Sequence, residues 1–259
     1  MSWWPFHSKC PIDDQTRIWV DDRMEWLDNQ FGLEQWWNMP LIEPTDEFFP
    51  DPFDSSEASV RRMLDRICRY MGVDPDRIIL RLYADGRDRK LTSHLPLHQE
   101  SQGAAGTYAE GASEDGRSIV SIARSTTGHA APLVAVIAHE LAHARHLGEK
   151  RISPDEPDHE DTTDLATVFF GLGVFNANAV AQFQQWSTGN MSGWRSSRIG
   201  YLDEPIFGYA LALWAYVRGL DHPTWMRLLR PGPRAAMSQS SKYLQATPEN
   251  RFANRRKRL

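Results

Sequence analysis

The chain has 259 residues, 41% hydrophobic and 24% charged, with a formal net charge of −5 and a pI near 6.0. That balance is ordinary for a globular protein and long enough to bury a full core without a disulfide or metal to hold it. It speaks against wholesale binding to nucleic acid or anionic membrane, and no run reaches the ~18 uninterrupted apolar residues of a membrane span.

The opening Met1-Ser2-Trp3-Trp4-Pro5-Phe6-His7 lacks the basic start and apolar run of a secretory signal, so the expected location is the cytoplasm. The two cysteines, Cys10 and Cys68, sit in no CxxC pair and read as reduced thiols. Residues 15–31 place Ile18, Val20, Met24, Trp26, Leu27 and Phe31 at helical spacing, with Gly32 as the stop. Residues 41–57 carry Glu43, Asp46, Glu47, Asp51, Asp54 and Glu57 with no Lys or Arg. Prolines 40, 44, 50 and 52 make this an extended acidic connector, anchored by Phe48-Phe49-Pro50. Cationic metal nearby would make it a candidate lid. A second helix is expected over Glu57–Met71, stopped by Gly72.

Strand signals follow at residues 77–83, 106–109 and 118–123, the last two forming a hairpin around Glu114-Asp115-Gly116. The polar stretch from Arg87 to Gly103 reads as a loop, with His94 and His98 solvated because Pro96 between them argues against a helix. From Pro132 the pattern turns helical and runs to Gly148. Another helix opens near Asp158 and passes Phe170, where Gly171 and Gly173 interrupt it. Residues 205–219 and 224–229 are helical again, and the basic stretch from Arg251 to Leu259 reads as a frayed tail. Tryptophan pairs 3–4 and 36–37 read as core or interface anchors. The expected fold is α+β: a small, partly antiparallel sheet packed on the 132–148 helix, followed by a mainly helical half. Residues 1–72 form an N-terminal helical segment with the acidic connector, and residues 73–259 the catalytic domain, together one compact unit.

The chemistry concentrates in His139-Glu140-Leu141-Ala142-His143, an HExxH motif on a strongly patterned helix. Residues i and i+4 share a helix face, so both imidazoles reach one metal ion. Zinc accepts imidazole nitrogen in a tetrahedral set. Glu140 lies about 100° further round the helix, where it meets a metal-bound water without being a ligand. A catalytic zinc needs a third protein donor and an open position. The nearby donors are His146, Asp155, Glu156, Asp158, His159, Glu160, Asp161 and Asp164. His146, at i+7 from His139, reaches the metal only if the helix bends. Glu160 and Asp164 have ExxxD spacing near the start of the next helix and share a face. One carboxylate then binds metal while the other accepts the outer N–H of a ligand histidine.

HExxH followed by ExxxD resembles the glutamate-zincins, the thermolysin-like zinc metallopeptidases; the match covers about 26 residues. The resemblance implies one Zn2+ per chain on His139, His143 and Glu160, Glu140 as general base, Asp164 supporting a ligand histidine, and a zincin-like fold. It implies a peptide or protein substrate, bound along an edge strand that residues 117–123 would supply. It also asks for an oxyanion donor, and among Tyr201, Tyr209 and His222 the candidate is Tyr201. It gives Asp161 no metal role, so Asp161 is assigned to the helix dipole. Two readings compete: a zinc-binding module without turnover, and a helical interaction protein that uses the acidic segment. Substrate and oligomeric state are not encoded in these motifs.

Overall fold

The computed structural model describes residues 9–84, 105–188, 202–247 and 249–257, with the side chains of 181–188 outside the description. The 87–103 loop with His94 and His98 lies outside those residues, as does Tyr201.

Helix α1 runs Asp14–Phe31 because Asp13 caps it, accepting the Thr16 N–H, and Gly32 ends it. A short α2 (Leu33–Asn38) follows and buries Trp36. The acidic connector then leads to α3 (Glu57–Met71), capped by Ser56 and stopped by left-handed Gly72. The connector is fastened down along its length. Ile42 donates to the Gly171 carbonyl at 2.9 Å. The Tyr70 hydroxyl donates to the Phe48 carbonyl at 2.5 Å, and the Phe49 ring meets Tyr70 and Phe175. Two of its carboxylates are taken up locally: Asp51 pairs with Arg66, and Asp54 accepts from Ser56. The segment is strapped across α3 at Phe48 and Asp51.

Strands β1 (Ile78–Tyr83), β2 (Gly106–Ala109) and β3 (Ser118–Ala123) form one mixed sheet in the order β1-β3-β2. β1 runs parallel to β3, with Ile78 opposite Ser118, and β2 runs antiparallel to it, with Gly106 opposite Ile122. This corrects the expectation that residues 117–123 form an edge. Four of the six β3 residues (Ile119, Val120, Ile122, Ala123) are buried, as a strand paired on both sides requires. Among the described residues the edges are β1 and β2.

The HExxH helix α4 (Ala130–His143) lies against β2, β3 and α3, and its last turn widens into π-helix over Ala144–Gly148. α5 (His159–Phe169) and α6 (Gly173–Thr188) both pack on α4. They are separate helices because Gly171 sits at φ +78° against the Pro40 carbonyl, where a Cβ has no room. α7 (Glu204–Val217) and α8 (Pro231–Ala246) form a closely packed pair, while 224–228 is a short 3-10 turn. α1 packs on α5 and α7, and one hydrophobic core runs from Val20 to Phe252. The chain is therefore α+β, with a small mixed sheet and mostly helices. Among the described residues no helix is long and apolar enough to cross a membrane.

Over residues 251–257 the basic C-terminal stretch is not a frayed tail. Arg251 pairs with Asp22 and Glu25, and Arg255 pairs with Glu25 at 2.5 Å and Asp28 at 2.9 Å. Lys257 donates its backbone N–H to Val217 at 2.7 Å, and Phe252 is buried. An acidic face on α1, with carboxylates three residues apart, receives arginines four apart in the tail.

Candidate metal centre

α4 delivers His139 and His143 to one face, and the first turn of α5 brings Glu160 across to them. Glu160 Oε2 stands 3.2 Å from His139 Nε2 and 3.3 Å from His143 Nε2. Among the described residues these three form the group able to hold a metal, with ligand atoms all within 4.8 Å of one another. Two donors about 2.05 Å from a tetrahedral zinc lie roughly 3.3 Å apart, so the separations to Glu160 match the edges of a zinc tetrahedron. The donor set, two imidazoles and a carboxylate, is one that zinc accepts.

The outer nitrogens are held as a ligand pair requires. His139 Nδ1 donates to Asp164 Oδ1 at 2.9 Å, and the Leu202 N–H donates to the other oxygen at 2.8 Å. Asp164 is fully buried, so both lone-pair partners matter. His143 Nδ1 lies 3.5 Å from Thr163 Oγ1, whose hydroxyl donates to the His159 carbonyl at 2.7 Å. Consecutive residues of α5 thus address the two histidines. The Tyr108 ring of β2 stacks on His143 with centroids 6.5 Å apart and planes 16° apart.

The pKa values of His139 and Glu160 are shifted in opposite directions. Burial alone would lower the pKa of His139, but the bonds to Asp164 and Glu160 outweigh it and hold the ring well above its ordinary value. Burial would raise Glu160, yet the two histidines hold it well below the usual carboxylate range. Glu140 is 5% exposed and outside the donor group; burial raises its pKa. Burial and the neighbouring carboxylates Asp164, Asp158 and Glu160 push Asp161 up to about 6.

Compared with protein-family models, with curated proteins and with solved structures, the chain shows no match. The site is therefore read from its own geometry.

The structure brings together His139, Glu140, His143, Glu160 and Asp164, all singled out by spacing. It leaves out His146. The π-helical turn carries that residue off the His139–His143 face, and its ring is buried between Trp26 (centroids 5.4 Å) and Phe31 (6.3 Å). Burial pushes its pKa down to about 3. Asp158 serves as an anchor: Arg23 grips both its oxygens at 2.6 and 2.7 Å, and Trp19 Nε1 adds a bond at 2.6 Å. That clamp fixes the start of α5, and with it Glu160, to α1. Tyr209, the other tyrosine considered, donates to Asp21 at 2.8 Å in the α1–α7 contact. Sequence reading missed three residues. Thr163 was findable as the residue three beyond Glu160 on the same helix face. Tyr108 and Gly106 had no local signal. Gly106 begins β2 directly against the site: a Cβ there would stand 2.7 Å from Glu140 Oε1 and from Val136 Cγ1.

Proposed function

We propose that the protein is a zinc-dependent metallopeptidase of zincin-like fold, with one zinc per chain on His139, His143 and Glu160 and with Glu140 as general base. One observation carries this reading: three donor atoms converge beside a buried carboxylate that is not one of them. A site built only to stabilise the fold has no use for that carboxylate.

When bound, zinc would supply Lewis acidity, acidifying water and polarising the scissile carbonyl. Glu140 takes a proton from the attacking water and returns it to the leaving amine. Its burial raises its pKa, which makes it a stronger base than an exposed carboxylate. Asp164 and Thr163 fix the rings of His139 and His143. Glu160, with its side chain 36% exposed, marks the side from which substrate arrives. An extended peptide would add to the outer edge of β2, the strand against α4, instead of to β3. Tyr201 is the proposed oxyanion donor.

The test is Glu140→Gln, which keeps shape and removes the base. Wild type should cleave members of a fluorogenic peptide library, and the variant should retain zinc but lose activity by at least ~10²-fold. Zinc in both proteins with turnover in neither would make this a non-catalytic zinc-binding module.

A further inference from the structure

We propose that helix α1 is a splint for the metal centre, with Arg23 and Trp19 as its positioning residues. By gripping Asp158 they hold the first turn of α5, and with it Glu160, in the place where metal needs it. The proposal rests on the metal-centre reading above and deepens it.

His139 and His143 come from one helix, so spacing alone sets their relation. Glu160 is reached only after residues 144–158 and stands second in α5. α1 touches that connection from end to end. Residues 19, 23, 26 and 30 follow the i, i+4, i+7, i+11 spacing of one helix face. Gln30 accepts from the Arg151 guanidinium through its backbone and side-chain oxygens, at 3.0 and 3.1 Å. Trp26 meets the His146 ring edge-on. Arg23 donates to both oxygens of Asp158, and Trp19 Nε1 donates to one of them. The Arg23 and Asp158 side chains are 23% and 20% exposed, so this pair is better shielded than an ordinary surface ion pair.

The use made of Asp158 singles out the clamp. An aspartate at a helix N-cap ordinarily accepts an N–H of its own first turn. Asp158 holds that position for α5 and makes no such bond. Its oxygens are turned onto α1 instead. The turn that carries Glu160 therefore takes its anchorage from α1 rather than from a local cap. Asp158 precedes Glu160 by two residues, so the grip reaches the metal through the α5 backbone. Without it the uncapped turn frays, and Glu160 stands in place only part of the time. Metal affinity then falls in proportion to that fraction.

The experiment measures zinc affinity by chelator competition, and the melting temperature of the metal-free protein, for wild type, Arg23→Ala, Trp19→Phe and Arg255→Ala. Arg255→Ala frees α1 from the C-terminal stretch at Glu25 and Asp28, away from Asp158, and serves as the structural control. Arg23→Ala should weaken zinc about tenfold, the effect of leaving Glu160 in place a tenth of the time. Trp19→Phe keeps an aromatic ring and loses the N–H; it should weaken zinc in the same direction, and it decides the matter if Arg23→Ala does not fold. Arg255→Ala should lower the melting temperature and leave zinc affinity at the wild-type value. Wild-type affinity in Arg23→Ala and Trp19→Phe would overturn the proposal, since these contacts would then hold the fold alone. An equal loss of affinity in Arg255→Ala would also overturn it, by showing general loosening in place of a specific grip. Either result leaves the metal centre itself standing if wild type binds zinc. If wild type binds none, the metal-centre reading fails, and this inference with it.

Discussion

Replacing Gly106 by alanine tests how the sheet edge holds Glu140, the proposed base. The added methyl would stand 2.7 Å from Glu140 Oε1, 2.7 Å from Val136 Cγ1 and 3.0 Å from Glu140 Cγ. Ordinary carbon contacts begin near 3.4 Å, so each neighbour must retreat by roughly 0.4–0.7 Å or more. Val136 and Glu140 are one turn apart on α4, so both cannot give way without rotating Glu140 or lifting β2 off the helix. Overpacking of this kind costs about 1–3 kcal/mol, or roughly 2–6 °C in melting temperature for a chain of this size. Displacing a catalytic group by up to about 1 Å costs on the order of 10²-fold in rate. The proposed ligands His139, His143 and Glu160 are not among the atoms struck, so zinc content should stay at the one per chain proposed for wild type. Calorimetry, elemental analysis and kcat on a cleaved peptide measure the three quantities separately. A variant with wild-type kcat would refute the claim that Gly106 sets the position of Glu140, and one that has lost its zinc would show that the damage spreads to the ligands.

Asp164→Asn puts an NH2 donor in place of one of the two oxygens that accept from His139 Nδ1 and the Leu202 N–H. Zinc affinity, read by chelator competition, should fall about 10–100-fold; an unchanged affinity would remove Asp164 from the site. Asp21 is buried between Tyr209 and Arg17, and burial outweighs both partners to raise its pKa from 3.8 to about 6. The folded state therefore holds more protons than the unfolded state between those values. Its contribution falls as pH rises through that window and is fully unfavourable above it, by roughly 3 kcal/mol at most. Asp21→Asn should gain stability relative to wild type as pH goes from 4 to 7, and parallel pH profiles in urea melts would contradict this. Truncation after Asn250 removes buried Phe252 and strips Arg255 from Asp28. The loss should exceed about 3 kcal/mol, with an unchanged melting temperature expected only of a frayed tail.

Local signals carried much of the fold into the sequence. Helix α3 begins at its Ser56 cap and ends at Gly72 just where the apolar spacing and stop residue place it, because cap chemistry is local. The β2–β3 hairpin around Asp115-Gly116 is local for the same reason. What stayed hidden was non-local. The parallel pairing of β1 with β3 joins residues 40 apart and turns the assumed edge strand into the central one. The docking of Arg251 and Arg255 on α1 spans most of the chain. Helix α8 was obscured by Pro231-Gly232-Pro233, which reads as loop but is tolerated in a first helical turn. At the site, HExxH and ExxxD marked the residues that touch one another, since a helix face follows from spacing. Tyr108, Gly106 and the His159–Glu160 contact depend on how strand and helices meet, which spacing does not encode.

The central claim is a three-residue zinc centre, and the most direct measurement is zinc per chain by elemental analysis of wild type and Glu160→Ala side by side. The account predicts one zinc in wild type and its loss or marked weakening in the variant. Equal zinc in both would take Glu160 out of the ligand set, and no zinc in wild type after incubation with the metal would contradict the claim outright.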